Sequence, residues 1–212
     1  MEKISDVTIQ PCSSTPYIKP LRITYTQDGV KKIWDAMKVH DSVCVLLYNK
    51  SRDCFVFVRQ FRPAVYINSV VTEKQADGTE TVDSAKYPGT LGLSYECCAG
   101  IVDKDCSLVE IAKMEVLEEC GYDVPLENIQ KITSYKAGAG TTGSTQTFFY
   151  AHITDNMKVS QGGGLVAEGY RVLSHQECSK ACSRTTFASP NFSSWLPVTA
   201  LRHMITNTKC ME

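Results

Sequence analysis

The sequence has no surplus of charge: 22 Lys and Arg stand against 23 Asp and Glu, a formal net charge of −1. A chain that grips nucleic acid by its phosphates needs a basic excess, so no nucleic-acid partner is expected. No stretch reaches the roughly 18 apolar residues that cross a bilayer as a helix. The first twenty residues carry no apolar run of signal-peptide length. No membrane partner is expected either, and the chain reads as cytoplasmic. Despite ten cysteines there is no C-x2-C pair, which argues against a zinc ribbon or a redox dithiol. Cys178 and Cys182 are one helical turn apart, but the four histidines give no finger-like spacing with them. Without a secretory route the thiols should stay reduced and serve as small buried hydrophobes. What remains is an ordinary globular composition of 212 residues, 43% hydrophobic and 21% charged. That is enough for one domain whose core needs no staple.

Strands dominate the pattern. Residues 21–26 and 30–34 flank Gln27, Asp28 and Gly29, and a three-residue loop containing glycine between β-prone runs predicts a hairpin. Residues 42–48 form a nearly continuous apolar run, whose length and β-branching suit a buried strand. Residues 54–58 follow a polar turn and should pair with it. Residues 68–88 are polar and aperiodic, with Asp77-Gly78 and Pro88-Gly89, and read as a surface loop or lid. Strands are expected again at 94–98, 129–135, 147–153 and 170–173. Helices inserted between strands make the class α+β or mixed α/β.

One helix is signed at both ends. Ser107 and Glu110 have capping-box spacing, and Gly121 suits a left-handed C-terminal cap. The helix should run from about Leu108 to Cys120. At about 100° per residue, Leu108, Ile111 and Ala112 share a face, and the same stripe continues into Glu115, Glu118 and Glu119. Such neighbours lie about 5–6 Å apart at Cβ. With an effective dielectric near 20, each carboxylate pair repels by about 3 kcal/mol. The macrodipole adds to the penalty at this end of the helix. A divalent cation with a preference for hard oxygens, such as Mg²⁺, gives the cluster a reason to exist; a solvated acidic face is the alternative.

With its flanks, the segment 100–122 resembles the Nudix box. Gly100, Gly121 and the three late glutamates fall in register. Three positions depart: Cys106 replaces the first glutamate, Met114 the arginine, and Tyr122 an aliphatic residue. Arg59-Gln-Phe-Arg62-Pro63 and Glu96-Cys-Cys-Ala99-Gly100 resemble segments of Nudix enzymes acting on ADP-ribose and nucleotide sugars. Residues 34–43, 138–147 and 162–168 together look like the UDP-sugar pyrophosphatase branch. The likeness runs from about Pro16 to His175.

The resemblance implies a Nudix fold, a mixed sheet sandwiched between helices with an N-terminal β-hairpin region. It implies Mg²⁺-dependent hydrolysis, with Mn²⁺ as the other candidate ion, of a nucleotide sugar: UDP-glucose to UMP and glucose 1-phosphate. An ADP-ribose pyrophosphatase and a non-catalytic nucleotide-binding module remain alternatives. By position, the metal ligands would be Glu115, Glu118, Glu119 and the carbonyl of Ala99. The catalytic set would be Glu118, Glu119 and Glu168, the last as base in a Gly-rich loop that three successive glycines leave free to move. Arg59 and Arg62 would face phosphate or a partner subunit, and Glu96 would meet substrate or form a structural pair. Gly140 and Thr142 would contact the nucleotide or sugar. Residues 1–40 are expected to mediate a homodimer, 41–183 to form the hydrolase domain, and 184–212 to form a tail of uncertain structure.

Overall fold

The structure, a computed structural model, describes residues 3–12, 15, 18–164 and 171–172. Glu168 and the expected tail at 184–212 lie outside the described residues. The strands and helices run in the order β1 (Thr8–Ile9), β2 (Lys19–Gln27), β3 (Val30–Lys38), β4 (Ser42–Asn49), β5 (Cys54–Val56), β6 (Val58–Phe61), α1 (Pro63–Asn68), β7 (Glu73–Lys74) and β8 (Glu80–Thr81). They continue with β9 (Leu93–Glu96), β10 (Cys98–Ile101), α2 (Leu108–Cys120), β11 (Ile129–Ala137), β12 (Ser144–Ile153) and β13 (Arg171–Val172).

A mixed sheet in the order β10-β4-β12-β11, with β5 also on β4, forms the centre. β4 and β12 are parallel and the other pairs antiparallel. β4 is buried on both faces, which explains its nearly continuous apolar run. Val43, Val45 and Leu47 join Phe149, Ala151 and Ile153 and the α2 residues Ile111, Ala112, Val116 and Cys120 in the main core. Leu46 joins Phe55, Phe57, Phe148 and Tyr150 in a second cluster.

Two expected strands turn out to be divided. The run 54–58 breaks at Phe57: β5 stays on β4, whereas β6 joins β9 and β13 in a separate three-stranded sheet. The run 94–98 breaks at Cys97 in the same way, with β9 in the small sheet and β10 in the central one. The chain crosses between the two sheets at these two residues. The region 68–88 is also more structured than a lid. β7 and β8 pair with each other and β8 pairs with β1, and the fully buried Tyr66 donates its hydroxyl to the Tyr87 carbonyl at 2.6 Å. Strands of two residues are too short to leave a periodic signal.

The N-terminal hairpin pairs all nine residues of β2 with all nine of β3. Its turn has two residues rather than the expected three. Asp28 and Gly29 both have positive φ, 52° and 78°, the backbone that a tight primed turn demands and that glycine supplies without strain. No helix among the described residues is long and apolar enough to cross a membrane.

Candidate active site

The carboxylate helix forms where its sequence signs it. Ser107 accepts from the Glu110 amide while Glu110 reaches back to the Ser107 amide, and Gly121 closes the helix at φ 72°. Ile111, Ala112, Val116 and Cys120 anchor one side on the central sheet. The three glutamates are then sorted by depth: Glu118 is exposed, Glu115 half-buried, and Glu119 only 5% exposed.

Glu115 and Glu119 meet the same stretch of β10. The Ala99 amide donates to Glu119 Oε2 at 3.0 Å. One residue on, Gly100 leaves open the space that the Glu115 carboxylate fills; a Cβ there would overlap its carboxyl carbon and oxygens. Gly100 is therefore required by close approach, not by a turn. Burial raises the Glu119 pKa to about 7, and the neighbouring Glu115 charge adds to the rise, against the Ala99 amide, the Cys98 thiol and Arg62. A buried carboxyl so poised invites a cation that would hold it ionised. Among the described residues no three His, Cys, Asp or Glu side chains form a ready-made metal cage, and Glu118 is exposed. Mg²⁺ does not need one, since it keeps several waters and takes one or two carboxylates. The oxygen donors Glu115, Glu119 and the Ala99 main chain fit such an ion.

Two residues that depart from the Nudix pattern occupy ordinary positions here. Met114 is half-buried and packs on the main core, so an apolar side chain suits the place. Cys106 is exposed in the turn before the helix.

Arg62 and Glu96 face each other. Arg62 donates Nε to Glu96 Oε1 at 2.9 Å and Nη2 to Oε2 at 2.6 Å. Gln60 Nε2 adds a bond at 3.2 Å and the Ser94 hydroxyl another. Burial alone would raise the Glu96 pKa, but Arg62, Ser94 and Gln60 together hold it below the usual value. A bidentate Arg–carboxylate fork of this kind fixes both partners. Glu96 thus forms the structural pair that the sequence left as one of its two roles. Arg59, half-buried on β6, lies opposite Tyr95 of β9 and Arg171 of β13.

The glycine loop between β11 and β12 holds the hairpin. The Trp34 indole donates to the Gly140 carbonyl and the Met37 amide to the Thr141 carbonyl, each at 2.8 Å. Thr142 Oγ1 donates to the Ala137 carbonyl at 3.0 Å. The Gly140 carbonyl and the Thr142 hydroxyl are thus engaged within the fold. Gly163 and Gly164, at the start of the loop expected to move, are bonded to the end of α2. The Gly163 amide donates to the Glu119 carbonyl at 2.8 Å and that of Gly164 to the Glu118 carbonyl at 3.2 Å. Sequence reasoning missed this contact, whose only local sign is the glycine run itself.

No family model matches the chain. Individual relatives do. It is 45% identical over 177 residues to uridine diphosphate glucose pyrophosphatase NUDT14 of Bos taurus, covering 80% of this chain and 79% of that one. The Mus musculus protein of the same name is 44% identical over the same length and shares. A GDP-mannose pyrophosphatase of Salmonella arizonae is 33% identical over 165 residues, 76% of this chain and 75% of its own. With 45% identity to the first of these over four-fifths of its length, and with Glu115 and Glu119 of the box meeting β10, the chain belongs to the Nudix hydrolase family.

Proposed function

We propose that the protein is a divalent-metal-dependent nucleotide-sugar pyrophosphatase that hydrolyses UDP-glucose to UMP and glucose 1-phosphate. The observation that carries the metal site is the convergence of Glu115 and Glu119 on Ala99 and Gly100. The relatives named for UDP-glucose and GDP-mannose support the substrate class. Glu115, Glu119 and the Ala99 carbonyl would hold Mg²⁺ or Mn²⁺, with Glu118 reaching in from the exposed edge. The bound ion supplies charge neutralisation for the diphosphate and a lowered pKa for an attacking water. The Ala99 amide orients Glu119, and Glu96 orients Arg62 and partly neutralises it. Arg59 and Arg62 provide the cationic side for the diphosphate, for which the guanidinium fork is suited. Glu168 is the proposed base. Gly140 contributes by holding the hairpin and Thr142 by closing its own loop; direct contact of both with the nucleotide or sugar is what the resemblance implies. The whole fits a Nudix fold acting in the cytoplasm. Turnover with Mg²⁺ of UDP-glucose, GDP-mannose and ADP-ribose at equal concentration tests the substrate: kcat/KM should be highest for UDP-glucose, and a higher value for ADP-ribose would replace it.

Residues 1–40 serve as the dimerisation region in this reading, 41–183 as the hydrolase domain. Every residue of β2 is exposed, and β3 is nearly as open. On one face the register aligns Leu21, Ile23 and Tyr25 with Ala36, Trp34 and Lys32. Leu21 is 45% and Trp34 53% exposed. A bare two-stranded ribbon is marginal in water, and an apolar face of this kind calls for a partner. A second copy of the chain is the proposed cover. Sedimentation should show a dimer at micromolar concentration and a monomer for Ile23→Asp; a monomeric parent would remove the hairpin from assembly.

A further inference from the structure

We infer that Gly162 and the two glycines after it are positioning residues for the carboxylate helix. They fix the main chain of Glu118 and Glu119 and so set the metal site; the inference rests on the metal reading above. The last carbonyls of a helix lack partners within it. In α2 each of these finds one outside. Leu117 accepts from the Gly121 amide at 3.0 Å and Val116 from that of Tyr122 at 3.4 Å. Cys120 accepts from Lys158 Nζ at 2.6 Å, a cation placed where the dipole favours it. The two remaining carbonyls belong to Glu118 and Glu119, and both are taken by the glycine run.

This contact depends on missing side chains. Gly162 has φ 67°, and a Cβ on it would overlap the Glu119 carbonyl oxygen and lie 2.7 Å from the Cys120 carbonyl carbon. From the other side, a Cβ on Gly121 would overlap the Ser160 carbonyl oxygen and lie 2.7 Å from the Gly162 nitrogen. Two backbones meet with no room between them, and no rotamer change can relieve an added methyl. The Glu119 carboxylate is held at its far end by the Ala99 amide. A shift of its main chain therefore pulls the carboxylate out of place. The closeness that allows two amides to cap the helix also gauges the carboxylate against β10.

The test compares Gly162→Ala with Gly78→Ala. Gly78, between β7 and β8, also has positive φ, 85°, but open space where its Cβ would stand. Both variants carry left-handed strain; only the first carries the collision. Mn²⁺ binding by calorimetry and kcat and KM for UDP-glucose are read on the full chain. For Gly162→Ala, Mn²⁺ affinity should fall roughly tenfold or more, as for other changes behind a metal ligand, with kcat lowered and KM little moved. Gly78→Ala should match the parent in both. Should Gly162→Ala fail to fold, Lys158→Met removes one cap of the same turn without a collision, and Mn²⁺ affinity should fall roughly threefold. Parent-like Mn²⁺ affinity in Gly162→Ala, or in Lys158→Met if that variant must serve, overturns the positioning role while Glu119→Gln loses the ion. If Glu119→Gln binds Mn²⁺ like the parent, the metal reading itself fails.

Discussion

Replacing Glu119 with glutamine should lower the rate of UDP-glucose hydrolysis at least about a hundredfold while the protein stays folded. Glutamine keeps the shape and can still accept the Ala99 amide, so packing on β10 survives. What disappears is the charge that a cation would pair with. The same variant has a second signature, in stability. Burial raises the Glu119 carboxyl from 4.5 to about 7 in the metal-free protein. Between those values the folded chain keeps a proton that the unfolded chain has released. This contribution to stability is therefore complete below the unfolded value and lost as pH rises through about 7. In EDTA the parent should lose on the order of 3 kcal/mol between about pH 5 and pH 8 from this group. Glu119→Gln should lack that part of the loss, as urea unfolding at the two pH values would show. Equal turnover by the variant, or the same pH slope, would place the ion and the raised carboxyl elsewhere.

The second large effect is expected at Glu168. The box can hold ions, but hydrolysis also needs a water aimed at phosphorus. Gly164 is bonded to the Glu118 carbonyl, and Glu168 follows four residues later. Glu168→Gln should lower kcat by roughly ten- to a thousandfold, the range for loss of a general base. KM should change little, since Glu115, Glu119 and Arg62 remain. The comparison uses excess Mg²⁺ and saturating UDP-glucose. An unchanged kcat would remove Glu168 from the reaction and pass the base role to Glu118 or Glu119.

Local signals were legible, and contacts distant in sequence were not. The carboxylate helix could be bounded to the residue because Ser107, Glu110 and Gly121 are chemical marks of its two ends. Its 100° spacing put all three glutamates on one stripe, but their sorting into exposed Glu118 and buried Glu119 needed the fold. The hairpin followed from Asp28-Gly29, although its turn length did not. By contrast, Phe57 sits inside an apolar run, and neither it nor Cys97 carries a turn or breaker signal. Only the packing of two sheets decides where each run divides. The Arg62–Glu96 fork joins residues 34 apart, and no local rule pairs them. Met114 could be seen as a departure from the box, but its place on the core needed the fold. The glycine run suggested freedom because glycine is permissive; the close approach of two backbones that it also allows could be seen only in the fold.

The most direct test is ³¹P NMR of the full chain incubated with UDP-glucose, once with Mg²⁺ and once with EDTA. With Mg²⁺ the diphosphate resonances should disappear as UMP and glucose 1-phosphate appear in equal amounts, and with EDTA they should persist. Intact UDP-glucose in the presence of Mg²⁺, in a protein that binds it tightly, would contradict hydrolysis and make the chain a nucleotide-binding module.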